Sequence, residues 1–511
     1  VAEHADLSSL RQASLATGGP IWLGRLGDAS AWSPPEHAVL VLGPPRSGKT
    51  SALALPNLLL APGAVVATST KPDLMRLSAG ARSELGPCWL FDPTGSVTPP
   101  PGVEPVAWSP LDAARRWDDA LPLARILVQT ARQGAGRAEE SHWTERAGAL
   151  LAPLLWATSL ADGDIADLCR LVDRRDTRPV LAELARAEDA FAAEVAASRL
   201  ASVTATEERE QSAIWSTVAS VLAPYSTTAA LASAGAGPGQ RRARLDPDAF
   251  VRSSGTIYVS ADSRLQSVVA PVLVGLIDQI RAATYRRHSL DAASPPVLAL
   301  LDEVANIAPI PELPQIVSEA GGQGLVVMAC LQDLSQARSR WGSAAEGFLT
   351  LFGTTVVLPG VADVRTLEAL STLLGARDSP SPSVSVTRRG LLRPPDRSRS
   401  IGTRRLARFE PARLSVGQHG RALVLDPRRS HAWVELTPAF AAEPFRSALD
   451  RPLTTGRETA RAETFLDRST PCDPTLGDPT LGDPTLGDPT PRSARRPRRR
   501  PPGPADGLGR A

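Results

Sequence analysis

Eight consecutive residues, Gly43, Pro44, Pro45, Arg46, Ser47, Gly48, Lys49 and Thr50, fit the phosphate-binding pattern G-x-x-x-x-G-K-[ST]. Only two lysines, Lys49 and Lys71, stand among the 56 basic residues of the chain. An ammonium on a flexible stem is therefore kept at this position in a chain that otherwise uses arginine, whose planar fork is no substitute for it. Gly43 and Gly48 allow backbone amides to turn inward around phosphate oxygens, since no Cβ holds the ligand off. A helix beginning near Gly48 adds unpaired amides and its positive dipole end at the same point. On this pattern the stretch Gly43 to Ser51 binds a nucleoside triphosphate. Lys49 reaches the β- and γ-phosphates, and the Thr50 hydroxyl holds Mg²⁺.

The second half of a hydrolytic site stands far downstream, in PPVLALLDEVAN (295–306). Five apolar residues, Val297 to Leu301, read as a buried strand that delivers Asp302 and Glu303 to its carboxyl end. Beside the phosphate loop, Asp302 would orient the Mg²⁺ shell and Glu303 would accept a proton from the attacking water. Taken alone, the pair also fits a solvated acidic turn after a strand. A further apolar run, Leu325 to Gln332, ends in an amide that could bond the γ-phosphate or the lytic water; a helix-initiating polar residue is the other reading.

The elements that must position these groups follow from periodicity. HAVLVLG (37–43) has strand length, and SALALPNLLL (51–60) is apolar enough for a buried helix, with Pro56 expected to interrupt it after about two turns. Strand-helix alternation over 37–112 and 250–376 is the signature of a mainly parallel sheet covered by helices, an α/β fold. Between these regions, residues 121–133, 142–161 and 179–203 read as amphipathic helices, with Trp143 as packing. The organisation expected is a lead segment 1–33, a nucleotide-binding part 34–117, an inserted all-α domain 118–248, a second nucleotide-binding part 249–445, and a disordered tail 446–511. Three tandem DPTLG repeats from Asp473 and the arginine-rich stretch 492–502 bury almost nothing. Residues 379–405, rich in Ser, Pro and Arg, read as a flexible loop. Twelve arginines against three acids lie between Arg388 and Arg429. Such a segment either lines a DNA channel or is a solvated loop, and no aromatic stacking platform accompanies it. RALVLDP (421–427) and HAWVELTP (431–438) read as a late strand pair.

Together these segments resemble the type IV coupling protein family (the VirD4/TraG/TraD group, in its actinobacterial form), within the FtsK/HerA set of ring-forming motor ATPases. The stretches that carry the likeness are GPPRSGKTSALALPNLL, APGAVVATSTKPDL, CWLFDPTG, AWSPLD, SSGTIYVS, LLDEVANIAPIPELPQIVSEAGGQG, LQDLSQARSRWG and TTVVLPG. They run in order from about residue 36 to 440. The resemblance implies a RecA-like P-loop fold that hydrolyses ATP with Mg²⁺ to move DNA, single-stranded or duplex, into a type IV secretion channel. It implies a homo-hexamer with relaxosome and channel proteins as partners. Lys49 and Thr50 become the P-loop pair, Asp302 and Glu303 the metal-binding and water-activating acids, and Gln332 the nucleotide sensor. Lys71 matches a family lysine or is a plain surface residue. Gly321 falls where the family often has an arginine directed at a neighbouring subunit's nucleotide, leaving Arg338, Arg340 and Arg365 as candidates for that task. An intracellular duplex translocase of the FtsK/HerA kind, and a nucleotide-binding substrate receptor with little turnover, are the rival functions.

Net charge is +2, so any nucleic-acid surface must be local. Cys88, Cys169, Cys330 and Cys472 lack metal or disulfide spacing, which fits a reducing compartment. The apolar stretches near 52–67 and 148–161 contain Pro or Asn or fall short of the ~20 residues a span requires. The expectation is a cytoplasmic chain, peripheral at the inner face of the membrane, reaching it through a partner or a missing N-terminal part.

Overall fold

The computed structural model describes residues 6–453, apart from 17, 19, 133–136, 237–241, 388–395 and 427–430. Of the tail expected from 446, residues 446–453 are described and are not all loose chain, since helix Phe445–Leu449 runs into them and buries Ala448; the repeats, the basic end and Cys472 lie outside the described residues. Fifteen strands are described: β1 (Trp22–Leu26), β2 (Ala29–Trp32), β3 (Val39–Leu42), β4 (Val65–Ser69), β5 (Cys88–Phe91), β6 (Val103–Ala107), β7 (Ala243–Arg244), β8 (Thr256–Ser260), β9 (Val297–Leu301), β10 (Leu325–Leu331), β11 (Thr354–Val357), β12 (Ala376–Thr387), β13 (Asp396–Ala407), β14 (Arg421–Leu425) and β15 (His431–Glu435). All but β12 and β13 join one sheet of order β2-β1-β15-β14-β11-β3-β10-β9-β4-β8-β5-β6-β7. From β11 to β7 every neighbouring pair is parallel, as expected for strands delivered by helical crossovers. β14, β15, β1 and β2 extend the sheet antiparallel. The late pair β14–β15 forms as expected; β1 and β2, in the lead segment, were not foreseen.

Side-chain alternation along the central strands builds a core on each face. Leu40 and Leu42 of β3 and Val297, Ala299 and Leu301 of β9 enter one core; Val39, Val41, Leu298 and Leu300 enter the other. The first core continues into helices Trp117–Ala131, Arg137–Leu160, Ile165–Arg174, Arg178–Leu184, Ala190–Thr204 and Glu208–Leu222, which occupy the chain between β6 and β7. Trp143 packs against this core. The run read as helical over 179–203 is two helices; Asp189 restarts the chain by accepting the Ala192 amide at 2.9 Å. Helix Gln266–Leu290 is the one described helix long and apolar enough to cross a membrane, and 72% of its most apolar window is buried within the fold.

Two local expectations fail for identifiable reasons. The helix after the phosphate loop is not interrupted at Pro56 but runs on to Leu60. It opens as a wide π-helical stretch, Lys49–Ala54, in which the Leu55 amide reaches back five residues to the Thr50 carbonyl. The α-helical part starts only at Leu55, so Pro56 falls in a first turn, where its missing N–H forfeits no bond. The segment expected as a loop over 379–405 is largely the antiparallel ribbon β12–β13. Each strand of a two-stranded ribbon keeps one open edge, where proline breaks no ladder. Pro380 and Pro382, two residues apart, share that edge. The connecting residues 388–395 lie outside the described residues.

Candidate nucleotide site

β3 ends in a tight turn in which the Ser47 amide donates to the Pro44 carbonyl at 3.3 Å and the Gly43 amide to the Leu331 carbonyl at 3.1 Å. The two glycines are required for different reasons. A Cβ on Gly43 would lie 2.6 Å from the Ser47 hydroxyl oxygen and 2.8 Å from a Leu358 methyl, so crowding excludes a side chain. At Gly48 a Cβ would make only ordinary contact, 3.8 Å from the Ala52 methyl, but φ is +97°, a backbone that other residues rarely adopt. Pro45 and Arg46 are exposed at the crest, Arg46 at φ 65°, while Pro44, Ser47, Thr50 and Ser51 are half-buried. Lys49 is buried, its amine donating to the carbonyls of Gly43 and, at 3.0 Å, Pro44.

The acids arrive as expected at the end of β9, yet β9 is not the immediate neighbour of β3. β10 lies between them, with Leu331 level with Leu42 and Ala329 level with Leu301. This insertion does not separate the chemistry. The Thr50 hydroxyl donates to Asp302 Oδ2 at 3.0 Å across 252 residues of sequence. Gln332, one residue beyond the end of β10, is half-buried at the same sheet edge, between the phosphate loop and the acids. Its backbone amide donates to Gln336 Oε1 at 2.9 Å, while Asp333 caps the following helix by accepting the Ser335 amide at 2.8 Å.

Glu303 follows Asp302 with φ 50° and ψ 44°, left-handed for a residue that pays for that conformation by about 1–2 kcal/mol. Such backbone persists where neighbours fix it. One of those neighbours is Thr68, at the end of β4, whose hydroxyl donates to the Asp302 carbonyl at 3.0 Å. Sequence reading passed over Thr68, although a Thr closing the apolar run VVATS was its available signal. It also passed over Asn57, buried in the loop's helix, which accepts the Trp22 amide at 2.7 Å and donates to the Trp22 carbonyl at 2.8 Å. Those bonds tie β1 to the phosphate-loop helix.

Burial holds the Asp302 carboxyl above its ordinary pKa; the Thr50 hydrogen bond and the Lys49 charge oppose this, and the Glu303 charge adds to it. Its Oδ1 is buried without a hydrogen-bond partner, as is the Ser47 hydroxyl. An orphaned carboxylate oxygen beside a Thr hydroxyl fits a hard cation. Mg²⁺ takes one or two carboxylates and completes its shell with phosphate oxygens and water, so no larger acidic cluster is needed. Among the described residues no group of three or more His, Cys, Asp and Glu gathers as a metal site.

A raised carboxyl pKa makes the folded state hold its proton more tightly than the unfolded chain does. Stability from this group is therefore complete below the ordinary carboxylate pKa and is lost as pH rises through the folded value. Asp302→Asn should unfold a few °C above the parent chain at neutral pH and with little difference near pH 4, while losing Mg²⁺-dependent nucleotide binding. Thermal unfolding at the two pH values checks the sign.

Lys71 is exposed on the turn after β4. Arg338 is held by Asp363 at 2.5 Å. Arg340 lines a cleft of about 1120 Å³ together with Arg125, Glu145, Arg199, Glu312 and Trp341. Arg365 is exposed at the start of helix Val364–Leu374. At Gly321 a Cβ would come within 1.9 Å of the Glu36 carbonyl oxygen. The backbone itself therefore excludes an arginine there.

A mainly parallel sheet, a P-loop at the end of one strand and an Asp-Glu pair two strands away define a RecA-like nucleotide-binding fold. The chain belongs to the family described as type IV secretory system conjugative DNA transfer, which it matches over residues 3–407. It is 25% identical over 331 residues to a conjugal transfer protein TraG of Escherichia coli, covering 60% of this chain and 50% of that one. A second Escherichia coli TraG is 32% identical over 128 residues, 24% of this chain and 18% of the relative. The chain thus spans about half or less of the length of these relatives. Among solved structures, the unbound bacterial conjugative coupling protein TrwBdeltaN70 aligns with a TM-score of 0.59 at 17% identity, over 84% of this chain and 91% of that one. Plasmid coupling protein TrwB in complex with ADP and Mg²⁺ aligns at 0.56 and 18% identity, over 80% and 87%.

Proposed function

We propose that the chain is an ATP-driven motor that moves DNA into a type IV secretion channel. The observation that carries this reading is the hydrogen bond from Thr50 to Asp302, which joins phosphate loop and metal-binding acid at one sheet edge. Bound Mg²⁺ would supply charge neutralisation on the phosphates; Thr50 and Asp302 would hold it. The amides of Arg46 to Ser51 cradle the phosphates, and the Lys49 amine exchanges its loop carbonyls for phosphate oxygens. Glu303 takes the proton of the attacking water, and Gln332 orients that water or senses the γ-phosphate. Family membership supports conjugative transfer as the setting, with DNA, relaxosome and channel proteins as partners, a homo-hexamer as the working assembly and the inner face of the membrane as its location.

The test is hydrolysis by the wild-type chain alone, with single-stranded DNA and with duplex. Stimulation chiefly by single strands is the expected result. Stimulation by duplex alone would instead make it an intracellular duplex translocase. Tight nucleotide binding without turnover under any condition would make it a substrate receptor.

A further inference from the structure

β12 and β13 pair only with each other, in register from Ala376 opposite Ala407 to Thr387 opposite Asp396. The ribbon closes at its base, where the Arg408 amide donates to the Gly375 carbonyl at 2.9 Å. Twelve extended residues reach ~40 Å, longer than the ~34 Å turn of a B-form duplex. A two-stranded sheet has no core of its own, so its surface is what it offers. Arg377, Arg399, Arg404 and Arg405 are exposed, and none makes an ion pair among the described residues. Strand alternation places Arg399 and Arg405 on one face, with Val384 and Ile401, and Arg377 and Arg404 on the other, with Ser379 and Ser381.

We propose that this ribbon is a DNA-binding arm, its arginines and serine hydroxyls contacting backbone phosphates. The inference rests on the DNA-transfer reading above and adds the surface that grips the substrate. Two features favour DNA. A two-stranded ribbon fits the major groove, and Arg, Ser and Thr are the usual phosphate contacts. Cationic groups on opposite faces suit a polyanion that flanks the arm on both sides. A lipid surface meets one face only, and here the exposed Val384 and Ile401 share theirs with Arg399 and Arg405.

The experiment compares the full wild-type chain with the variant Arg377→Ala/Arg399→Ala/Arg404→Ala/Arg405→Ala, measuring affinity for a labelled oligonucleotide, single-stranded and duplex, over a salt series. Each lost phosphate contact lowers the slope of log affinity against log salt by ~0.7 for single strands or ~0.9 for duplex. The variant should therefore lose roughly 3 units of slope, with unchanged nucleotide affinity and unfolding temperature. A second variant with all four as Lys should keep the wild-type slope, because charge rather than shape carries the contact. An unchanged slope in the alanine variant overturns the arm while leaving the transfer function standing. Loss of binding to anionic phospholipid vesicles with DNA binding intact overturns it in favour of a membrane contact. A wild-type chain that binds no DNA at low salt overturns both readings.

Discussion

Glu303→Gln should lower nucleotide hydrolysis by ~10²–10⁴-fold, the usual share of a positioned general base, while nucleotide affinity changes by no more than a few-fold. The two side chains have nearly the same shape, so the left-handed backbone at this position and the Thr68 bond to the Asp302 carbonyl both remain. On the proposed reading the phosphates would be held by the amides of Arg46 to Ser51 and by Lys49, none of which the substitution touches. Single-turnover phosphate release and binding of a non-hydrolysable analogue separate the two effects, and DNA transfer between cells reports the consequence. Transfer should be abolished. Undiminished hydrolysis would remove Glu303 from the chemistry, and transfer that persists without hydrolysis would establish a receptor in place of a motor.

Gly321→Arg should damage the fold before it contributes any charge to a neighbouring subunit. The first atom of any side chain at this position meets the Glu36 carbonyl oxygen at 1.9 Å, far inside contact distance. Glu36 sits at φ 64° in the turn that launches β3, so displacing it disturbs the strand carrying the phosphate loop. Overpacking of this kind costs about 1–3 kcal/mol or more, and Gly321→Ala should show most of the same loss because the collision is at Cβ. Unfolding midpoints of both variants check this. A stable Gly321→Arg chain with hydrolysis raised tenfold or more at high protein concentration would show instead that this position accepts a catalytic arginine.

The parts of the candidate site were legible because each is written in a few contiguous residues. Gly43 to Thr50, Asp302-Glu303 and the strand ending before Gln332 are marked by residue type and spacing, and β9 occupies the residues read for it. What sequence could not supply was long-range pairing. Nothing in the run 325–331 says that it enters between β3 and β9, since both neighbours are apolar strands of similar length. The alternation in 379–387 is that of a strand, but its prolines argued against one until both strands proved to have open edges. Pro56 misled for a related reason: helix rules assume α geometry, and the loop's helix begins with a wider turn. Thr68 and Asn57 act through partners 234 and 35 residues away, distances at which local pattern carries no signal.

The scarcity of lysine has a practical side. Lys49 is enclosed by its own loop, whereas Lys71 is exposed on the turn after β4, one strand from the acids of β9. Of the two lysines, an amine-directed fluorophore thus has one open side chain to react with, on the turn that follows the strand next to β9. This chain carries its own attachment point for a spectroscopic reporter, without any cysteine having to be introduced or removed.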